Sequence, residues 1–347
     1  MRVAILSLYD FEEVKGGTEI FVQHLSSAFA DSESITFSSS RNEVPGPNLT
    51  KFNIEYARMG LAISKHFARL HRREPYDLVI CNDVAGVGLK LFTPGVPTIQ
   101  VFHYTYRGFA EGALRGLPAF APSRYILPWF EDFSANGKRV VAVSHKTRRE
   151  LERLYGRSAK VIENAVPMDK FKPLSRSECR ERLGIRWTGP IGIFVGRADR
   201  TKGFDVVQTL AKKRKDLRIL CVTGSEIKDE NLIIAKKVPN ADMPIYYSAA
   251  DFLLFPSRYE SASYTTIEAM ACDLPIVAHR TGLFEDIEEE KVGRILDDVS
   301  AESFSNAIDS LLNGGRVETR NLAIRRFSME RFLNDYKMLA REMVDKA

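Results

Sequence analysis

Short runs of apolar residues recur along the chain, and turn-forming or polar residues bound each run. Strands that are buried on both faces of a parallel sheet are continuously apolar and rich in valine and isoleucine. The pattern therefore predicts buried parallel strands in the stretches RVAILSL, DLVICND, TIQVFH, RVVAVS, AKVIEN, PIGIFVG, LRILCVTG, DFLLFPS and PIVAH.

The segments between these runs are amphipathic at helical spacing. In residues 19–30, for example, Phe21, Leu25, Ala28 and Phe29 fall on one face of a predicted helix. Alternation of this kind predicts an α/β architecture with helices on both faces of parallel sheets. Ligands of such doubly wound sheets bind beyond the carboxyl ends of the strands.

The alternation runs twice, with an interruption around Pro167 and Pro173 where polar residues replace the apolar periodicity. We therefore predict two doubly wound, Rossmann-like domains, residues 1–165 and 166–328, facing each other across a cleft. A charged amphipathic segment, residues 329–347, predicts a final helix that packs back on the first domain. A chain of 347 residues has enough material for two cores.

Composition narrows the class of protein. The apolar run at the amino end is too short for a signal peptide, and no stretch reaches the ~18 apolar residues of a membrane span. We therefore expect a cytoplasmic protein. The four cysteines form no C-x-x-C pair, the histidines show no ligand spacing and the chain contains no Asp-x-Asp, so no disulfide framework or metal site is expected.

The net charge of +5 is mild, but basic residues cluster in residues 65–73, 146–153 and 212–218. Such clusters are typical of solvated helix faces, and the alternative is an anionic membrane lipid or a phosphate-bearing substrate. No nucleic-acid-binding motif accompanies them, so nucleic acid is not an expected partner.

Two glycines, Gly16 and Gly17, follow the first predicted strand and open a helix. Glycines let backbone amides approach a ligand closely, and a helix amino end favours negative charge, so a phosphate is the expected ligand. A plain turn before a helix is the alternative. The stretch is not G-x-G-x-x-G, which counts against a nicotinamide enzyme.

Two cations and an imidazole also follow predicted strands. Arg197 leaves the end of a predicted strand, and Lys202 precedes a glycine at the start of the next helix. Beside a helix amino end, the two cations could neutralise a diphosphate, although cations near loops are common. His103 could orient a sugar hydroxyl or donate a proton to a reacting group, or could be satisfied by a backbone carbonyl. The aromatic loop behind it includes Tyr104 and Arg107, which could meet an acceptor.

Two glutamates lie eight positions apart in FPSRYESASYTTIEAM. Glu260 falls in the loop after a predicted strand, and Glu268 falls in the second turn of a helix that begins near Ser263. Each carboxylate could accept hydrogen bonds from vicinal hydroxyls, while the helix amides between them hold negative charge. This division suits a molecule with a sugar at each end of a diphosphate. The alternative is that one glutamate supports the dipole of the helix and that the other is an unrelated surface residue.

Taken together, these stretches resemble the family-four retaining glycosyltransferases of the GT-B fold. The resemblance spans nearly the whole chain. Its most specific part is the pair of glutamates that follows Pro-Ser, the second of which begins Glu-Ala-Met-Ala. It implies a glycosyl transfer from a nucleotide sugar to a hydroxyl acceptor, with retention, without a metal ion or other cofactor. The donor nucleotide, UDP, GDP or ADP, stays open.

The resemblance also implies roles for individual residues. Backbone amides of Gly16 and Gly17 would contact the donor diphosphate, and Arg197 and Lys202 would neutralise it. His103 and Glu260 would lie at the transferred sugar, and Glu268 would bind the ribose hydroxyls. Amides of four consecutive residues would complete the cradle: Ala262, Ser263, Tyr264 and Thr265.

The chain departs from the family pattern at several glycines. Ser261, Ala262 and Ser263 stand where the family has Gly-Phe-Gly, which could narrow the sugar pocket or alter the loop, since glycine alone tolerates positive φ freely. Asp273 stands where a glycine is usual. Because the charged residues survive, we interpret these departures as drift without loss of activity.

Two other functions remain open on the sequence alone. One is a nucleotide-sugar epimerase or a phosphorylase on the same scaffold, and the other is a non-catalytic sugar-nucleotide binding protein. The acceptor is expected on the amino-terminal domain near Tyr104 and Arg107. The basic stretch at residues 65–73 permits a lipid-linked acceptor and peripheral contact with an anionic membrane, at the inner membrane face.

Overall fold

The computed structural model describes residues 1–9, 16–40, 54–93 and 95–346. These residues form two compact units, each with its own parallel six-stranded sheet. Unit 1 contains residues 1–164 and 330–347, and unit 2 contains residues 165–329.

Unit 1 has the strand order β2-β1-β3-β4-β5-β6. Its strands are β1 Arg2–Leu6, β2 Asp31–Ile35, β3 Leu78–Asn82, β4 Thr98–Phe102, β5 Arg139–Ala142 and β6 Lys160–Val161. Its helices are α1 Gly17–Ser26, α2 Phe37–Ser40, α3 Ile54–Arg73, α4 Leu89–Phe92, α5 Tyr106–Ala113, α6 Phe120–Tyr125, α7 Leu127–Ala135 and α8 His145–Tyr155.

Unit 2 has the strand order β12-β11-β10-β7-β8-β9. Its strands are β7 Ile191–Val195, β8 Arg218–Thr223, β9 Leu232–Lys236, β10 Phe252–Phe255, β11 Ile276–His279 and β12 Gly293–Leu296. Its helices are α9 Arg176–Arg182, α10 Phe204–Lys213, α11 Met243–Ala249, α12 Tyr264–Ala271, α13 Ala301–Leu312 and α14 Arg320–Phe327. A last helix, α15 Met329–Val344, leads back to unit 1.

All nine predicted apolar strands form in the described residues, and the α/β architecture is confirmed. Three strands were not predicted, β2, β9 and β12, and each lies at the edge of its sheet. The helix predicted over residues 19–30 is shorter than expected. It ends at Ser26, and Ala28 and Phe29 are buried in the turn that follows.

The helix α15 packs on unit 1. The ring of Phe21 in α1 meets Phe332 and Tyr336 edge-on, with ring centroids 5.6 and 5.8 Å apart. All three side chains are fully buried. Because α1 and α15 share this aromatic cluster, the core of unit 1 combines residues from both ends of the chain.

Helices α3 and α7 both contact the short 3-10 turn Asp83–Gly86 that follows β3, and α4 packs against α3. Their apolar residues join the strands in buried clusters around Ile63, Phe67 and Leu127. In unit 2, Phe194 and Phe252 lie at the centre of the equivalent cluster. Each sheet therefore has its own core.

Asp273 adopts the left-handed backbone conformation, with φ of 58°. Its carboxylate accepts hydrogen bonds from the amides of Thr319 and Arg320, at 2.9 and 3.2 Å, at the start of α14. It also pairs with Arg316 at 2.9 Å. Our interpretation of this position as drift was therefore incomplete, because the aspartate keeps the glycine-like backbone and caps a helix.

Candidate functional site

Lys202 lies in the loop between β7 and α10. Asp199 caps the 3-10 turn Arg200–Lys202 by accepting a hydrogen bond from the Lys202 amide at 3.1 Å. Gly203 follows with φ of 72°, and a Cβ at this position would lie 2.1 Å from the carbonyl oxygen of Pro256. Only glycine fits this contact, so the loop is pressed against the chain leaving β10.

A bidentate ion pair joins the same two loops. The guanidinium of Arg258 donates to both carboxylate oxygens of Asp205, each at 2.8 Å, and the Arg258 amide donates to the carbonyl of Thr201 at 2.9 Å. Two parallel charge-assisted hydrogen bonds fix orientation as well as distance. The loops after β7 and β10 are therefore held as one surface at the carboxyl ends of adjacent strands.

Lys202 and Glu260 meet directly on this surface. The Lys202 ammonium lies 2.5 Å from Glu260 Oε1, and the two side chains are 29% and 13% exposed. The Glu260 amide donates to Thr281 Oγ1 at 3.1 Å. Glu260 is thus positioned from its backbone and from its carboxylate, and its side chain keeps further acceptor capacity for a hydroxyl.

Arg197 lies on the same loop as Lys202 but does not contact either glutamate. Its side chain is 68% exposed, and its Nε lies 3.0 Å from Asp199 Oδ2. Burial opposes the ionisation of Asp199, yet hydrogen bonds from Thr201 and the Lys202 amide, and the charge of Arg197, lower its pKa overall. Arg197 is therefore a solvent-facing cation at the edge of the surface.

The loop that replaces Gly-Phe-Gly leads into α12 without backbone strain. Ser263 is the N-cap of α12 in an extended conformation. In the described residues the positive-φ non-glycine positions are Asp83, Lys237 and Asp273, so residues 261–263 do not need glycine. The neighbouring Gly282 does, because it has φ of 64° and a Cβ there would lie 2.6 Å from the Ser261 carbonyl.

Glu268 is buried in the second turn of α12, and both of its carboxylate oxygens have protein partners. Asn240 Nδ2 donates to Oε1 at 3.2 Å, and the Tyr247 hydroxyl donates to Oε2 at 2.8 Å. Lys170 in turn donates to Asn240 Oδ1. Burial raises the pKa of Glu268 to about 7, and the bonds from Tyr247 and Asn240 and the charge of Lys170 oppose that rise.

Three residues that position Glu268 were not predicted from the sequence. Lys170, Asn240 and Tyr247 lie 21 to 98 positions away from it and belong to no shared motif. Among the described contacts, no hydrogen bond or ion pair joins Glu268 to Lys202 or Glu260. The structure thus joins two of the four predicted charged residues directly and gives Glu268 its own network.

In unit 1, the predicted phosphate-binding amides lie at the start of α1. Gly16 is the N-cap, and burial raises the pKa of the Glu19 carboxyl in the first turn, while hydrogen bonds from the amides of Gly16 and of Glu19 itself oppose that rise. This is the return half of a capping box, in which an acid at the third helical position satisfies the N-cap amide. A ligand of the Gly16 amide would therefore have to displace Glu19, whereas no side chain among the described residues is recorded as a partner of the Gly17 amide.

His103 is buried at the carboxyl end of β4. Its Nε2 lies 3.0 Å from Asn82 Oδ1, and Asn82 Nδ2 donates to the Leu6 carbonyl at 3.1 Å. The second bond fixes the amide orientation, so Nε2 carries the proton and Nδ1 carries the lone pair. Burial lowers the pKa of His103 to about 3, which keeps the ring neutral. It is held by a side-chain amide, where we had considered a backbone carbonyl.

Asp83 was not predicted as a site residue. It has φ of 45° and accepts a hydrogen bond from the His103 amide at 3.1 Å. Burial raises its pKa to about 7, although the hydrogen bond from His103 opposes the rise. A non-glycine residue with positive φ is uncommon, and this conformation is the signal that distinguishes Asp83.

The two predicted acceptor residues both have protein partners. The ring of Tyr104 packs edge-on against Tyr106 and Phe109, with centroids 5.3 and 6.0 Å apart. Arg107 Nε lies 3.2 Å from Glu111 Oε1 and is 35% exposed. Arg107 therefore remains partly accessible, whereas most of Tyr104 serves the packing of α5.

Two features are absent from the described part of the chain. No group of three or more His, Cys, Asp or Glu side chains there is arranged to hold a metal ion. No helix there combines the length and the apolar character that crossing a bilayer requires.

Two family models match the chain. The model described as Glycosyltransferase Family 4 matches residues 15–170, and the model described as Glycosyl transferases group 1 matches residues 175–326. Each match covers a little less than half of the chain, and together they span nearly all of it.

Similar curated proteins are glycosyltransferases. A D-inositol 3-phosphate glycosyltransferase of Mycobacterium sp. (strain KMS) is 29% identical over 182 residues, which are 47% of this chain and 42% of the relative. The protein of that name from Acidothermus cellulolyticus is 27% identical over 279 residues, 70% of this chain and 61% of the relative. The chain thus spans about half the length of the curated relatives it matches.

Solved structures share the fold. Sucrose-phosphate synthase from Thermosynechococcus elongatus gives a TM-score of 0.85 at 19% identity, covering 100% of both chains. Anabaena HepE, solved in complex with UDP-glucose, gives a TM-score of 0.76 at 16% identity, and the match covers 98% of this chain and 99% of that one. At these identities the likeness shows the architecture alone.

Proposed function

We propose that the protein transfers a sugar from a nucleotide sugar to a hydroxyl acceptor, with retention at the anomeric carbon. The proposal is supported by the two glycosyltransferase family models that match the two halves of the chain, and by the GT-B fold that the chain shares with solved structures. The observation that carries the proposal is the direct contact of Lys202 with Glu260 on the surface that precedes α12. A cation and a hydroxyl acceptor placed side by side match the junction between a diphosphate and a sugar.

The donor diphosphate binds Lys202, Arg197 and the first-turn amides of α12. A helix amino end attracts anions, and Lys202 contacts Glu260, which lies four residues before α12 begins. Arg197 is solvent-facing in the structure, so its guanidinium can turn to a ligand without leaving a buried partner. In this proposal the two cations neutralise the diphosphate, and no metal ion takes part.

The hydroxyls of the donor bind the two glutamates. Glu260 accepts from the transferred sugar with the oxygen that Lys202 leaves available, and Glu268 accepts from the ribose of the nucleotide. Since Asn240 and Tyr247 already donate to Glu268, the ribose hydroxyls use its remaining lone pairs. UDP-glucose in the structure of HepE is consistent with a uridine donor.

The reaction separates charge between an oxocarbenium-like ring and a leaving diphosphate. Lys202 and the α12 amides stabilise the negative charge, and one preorganised donor of this kind is typically worth ~3 kcal/mol. The acids lie where hydroxyls bind, so we assign neither as a nucleophile. The acceptor attacks the same face that the diphosphate leaves, assisted by the departing phosphate.

The roles of the unit 1 residues rest on the resemblance. His103 is neutral and offers Nδ1 as an acceptor for a sugar hydroxyl, and Gly17 offers its amide to a phosphate. The acceptor substrate, a glycan, a lipid-linked sugar or a small molecule, binds near Tyr104 and Arg107. A cytoplasmic site with peripheral contact at the inner membrane face stays a prediction.

The test is acceptor-dependent product formation. Binding of UDP-, GDP- and ADP-sugars is first ranked by the rise in melting temperature, since a ligand of the folded state stabilises it. The best donor, labelled in its sugar, is then incubated with an acceptor panel and with either the native protein or Lys202→Met. Lys215→Met, at an exposed lysine whose ammonium donates to Asn231, is the matched control.

We expect labelled glycoside only with donor and acceptor together, and a large loss in Lys202→Met but not in Lys215→Met. Donor stabilisation without any transfer would instead indicate a binding protein. Conversion of the donor without an acceptor would indicate an epimerase. Stereochemistry of the product, read by NMR, tests retention.

A further inference from the structure

Unit 1 exposes a cluster of large apolar side chains on helix α7 and the end of α6. Trp129 is 79% exposed, Tyr125 62%, Phe133 45% and Ile126 39%. Ile126, Trp129 and Phe133 follow at spacings of three and four residues, so they share one helix face. We call these four residues the α7 surface. Single exposed apolar residues are ordinary, but a group that contains a nearly bare tryptophan marks an interaction site.

The opposite face of α7 is firmly packed. Leu127 and Ala135 are almost fully buried. Glu131, also buried, accepts hydrogen bonds from the amide of Tyr106 at 3.2 and 3.1 Å with its two oxygens, and from the Tyr155 hydroxyl. The helix is therefore fixed in place, and its outward apolar residues are not core residues that failed to pack.

The charges around the α7 surface are positive. Residues 112–130 contain no acid and carry two cations, Arg115 and Arg124. Arg124 lies over the ring of Tyr125, 5.2 Å from its centroid. Lys90 reaches the other end of α7, since its Nζ lies 3.4 Å from where a Cβ of Gly137 would be.

The nearest acids are already neutralised. Glu111 lies 2.8 Å from Arg124 and 3.2 Å from Arg107, and Asp132 lies 2.7 Å from Arg157. Lys90 and Arg115, in contrast, have no acidic partner among the described residues. The rim of the surface therefore presents net positive charge.

Helices α4 and α3 also expose apolar and basic side chains. Leu91 and Phe92 in α4 are 66% and 41% exposed. Helix α3, which packs against α4, has exposed cations at Lys65, Arg69 and Arg72. Apolar side chains next to a basic helix give the composition of a surface that lies on anionic lipid.

We propose that the α7 surface inserts its aromatic side chains into the headgroup region of an anionic lipid bilayer. Tryptophan and tyrosine favour this region because each has an apolar ring and a polar group that stays hydrated. Lys90, Arg115 and Arg124 attract the anionic headgroups. A second copy of the chain fits less well, because two-fold pairing of this surface would bring these cations against their own copies.

This inference does not depend on the proposed activity, since lipid binding requires neither donor nor acceptor. The chain has two tryptophans, and Trp187 lies in unit 2 beneath Arg218 with its Nε1 bonded to Pro190. In Trp187→Phe, Trp129 is therefore the sole tryptophan reporter. We expect vesicles of phosphatidylcholine with phosphatidylglycerol to shift its emission to the blue, and brominated lipid to quench it, whereas phosphatidylcholine alone does neither.

A paired set of variants tests the residues by vesicle co-sedimentation. Trp129→Ser with Phe133→Ser is expected to lower partitioning about tenfold or more, from the loss of two buried rings. Met338→Ser, which removes an apolar side chain 65% exposed on α15, is the control and is expected to leave binding unchanged. Lys90→Glu with Arg115→Glu is expected to weaken binding and to flatten its dependence on salt.

All of these side chains are exposed, so the melting temperatures are expected to match the native protein, which shows that a loss of binding is not unfolding. The proposal is overturned by the absence of a fluorescence shift with anionic vesicles, or by equal binding of the serine variant. A concentration-dependent dimer that Trp129→Ser abolishes, in sedimentation equilibrium without lipid, would also overturn it by assigning the surface to self-association.

Discussion

The ammonium of Lys202 lies 2.5 Å from Glu260 Oε1, although the two residues come from loops after different strands, β7 and β10. Gly203, pressed on Pro256, and the Arg258 to Asp205 pair hold these loops together. The packing of the two loops thus holds the pair in position. Preorganisation of this kind is what makes a charged group effective in catalysis.

Removing either member of the pair should affect activity far more than stability. Lys202→Met is expected to lower kcat by about a hundredfold to a thousandfold, as for other preorganised donors. The free energy of unfolding should change by less than about 1 kcal/mol, because the pair is partly exposed. Steady-state kinetics and urea unfolding measure the two effects. A stability loss that accounts for the lost activity would contradict a catalytic role.

Gly203→Ala should be far more damaging than an alanine at another left-handed glycine. A Cβ at Gly203 would lie 2.1 Å from the Pro256 carbonyl, whereas Gly184, with φ of 65°, has open space around it. We expect a loss of about 3 kcal/mol or more for Gly203→Ala, from backbone strain plus the clash, and about 1 kcal/mol for Gly184→Ala. Urea unfolding of both variants tests this, and equal losses would contradict the close contact.

The buried Glu268 should give the protein a characteristic dependence of stability on pH. Its pKa is about 7 in the folded state, against about 4.3 in an unfolded chain. The folded state therefore binds this proton more tightly, so the free energy of unfolding should fall as pH rises from about 4 to about 7. Unfolding measured across this range should show a weaker slope in Glu268→Gln.

Asp83 contributes a slope of the same sign, because its pKa is also raised to about 7. Asp83→Asn is therefore the companion variant, and the double variant should lose both contributions. Donor affinity gives a separate readout. If the ionised Glu268 binds ribose hydroxyls, affinity in the native protein should rise as pH increases through about 7, and this rise should vanish in Glu268→Gln.

Three substitutions of Asp273 should lower the stability of the protein by different amounts, in a defined order. Both amides donate to the same oxygen of Asp273, so the side-chain oxygen of asparagine can still accept both bonds. Asparagine also visits the left-handed region, so Asp273→Asn should be the mildest change. Asp273→Gly keeps the backbone conformation but loses the cap of α14, which should lower the free energy of unfolding by about 1 kcal/mol. Asp273→Ala loses the cap and also strains the backbone, which should lower the free energy of unfolding by about 2 kcal/mol or more. Thermal unfolding ranks the three variants, and an alanine variant as stable as the glycine variant would contradict the left-handed assignment.

The sequence was sufficient to predict the central strands and the edge strand β6, but not the other three edge strands. Residues 31–35 read DSESI, and only Ile35 in this strand is buried. An edge strand covered on few sides carries no continuous apolar run, so periodicity does not reveal it. The strand exists because its backbone pairs with β1, which is a tertiary interaction.

The candidate site also contains residues that the sequence predicts and residues that only the folded structure reveals. Lys202 and Glu260 could be found because glycine, proline and helix-start signals surround them in one stretch each. The residues around Glu268 could not, since Lys170, Asn240 and Tyr247 meet it only through folding. The capture of the Gly16 amide by Glu19 was also missed, although glutamate at the third position of a helix is a recognised signal.

The packing of α15 on Phe21 has a consequence for biosynthesis. A ribosome that has made residues 1–164 has not yet made Phe332 and Tyr336, which cover Phe21 in the finished protein. The intervening residues, 165–329, emerge first and can fold while the earlier unit still waits with an apolar face uncovered. The nascent chain should therefore depend on chaperones over that interval, and a premature stop codon before Phe332 should yield an aggregation-prone product.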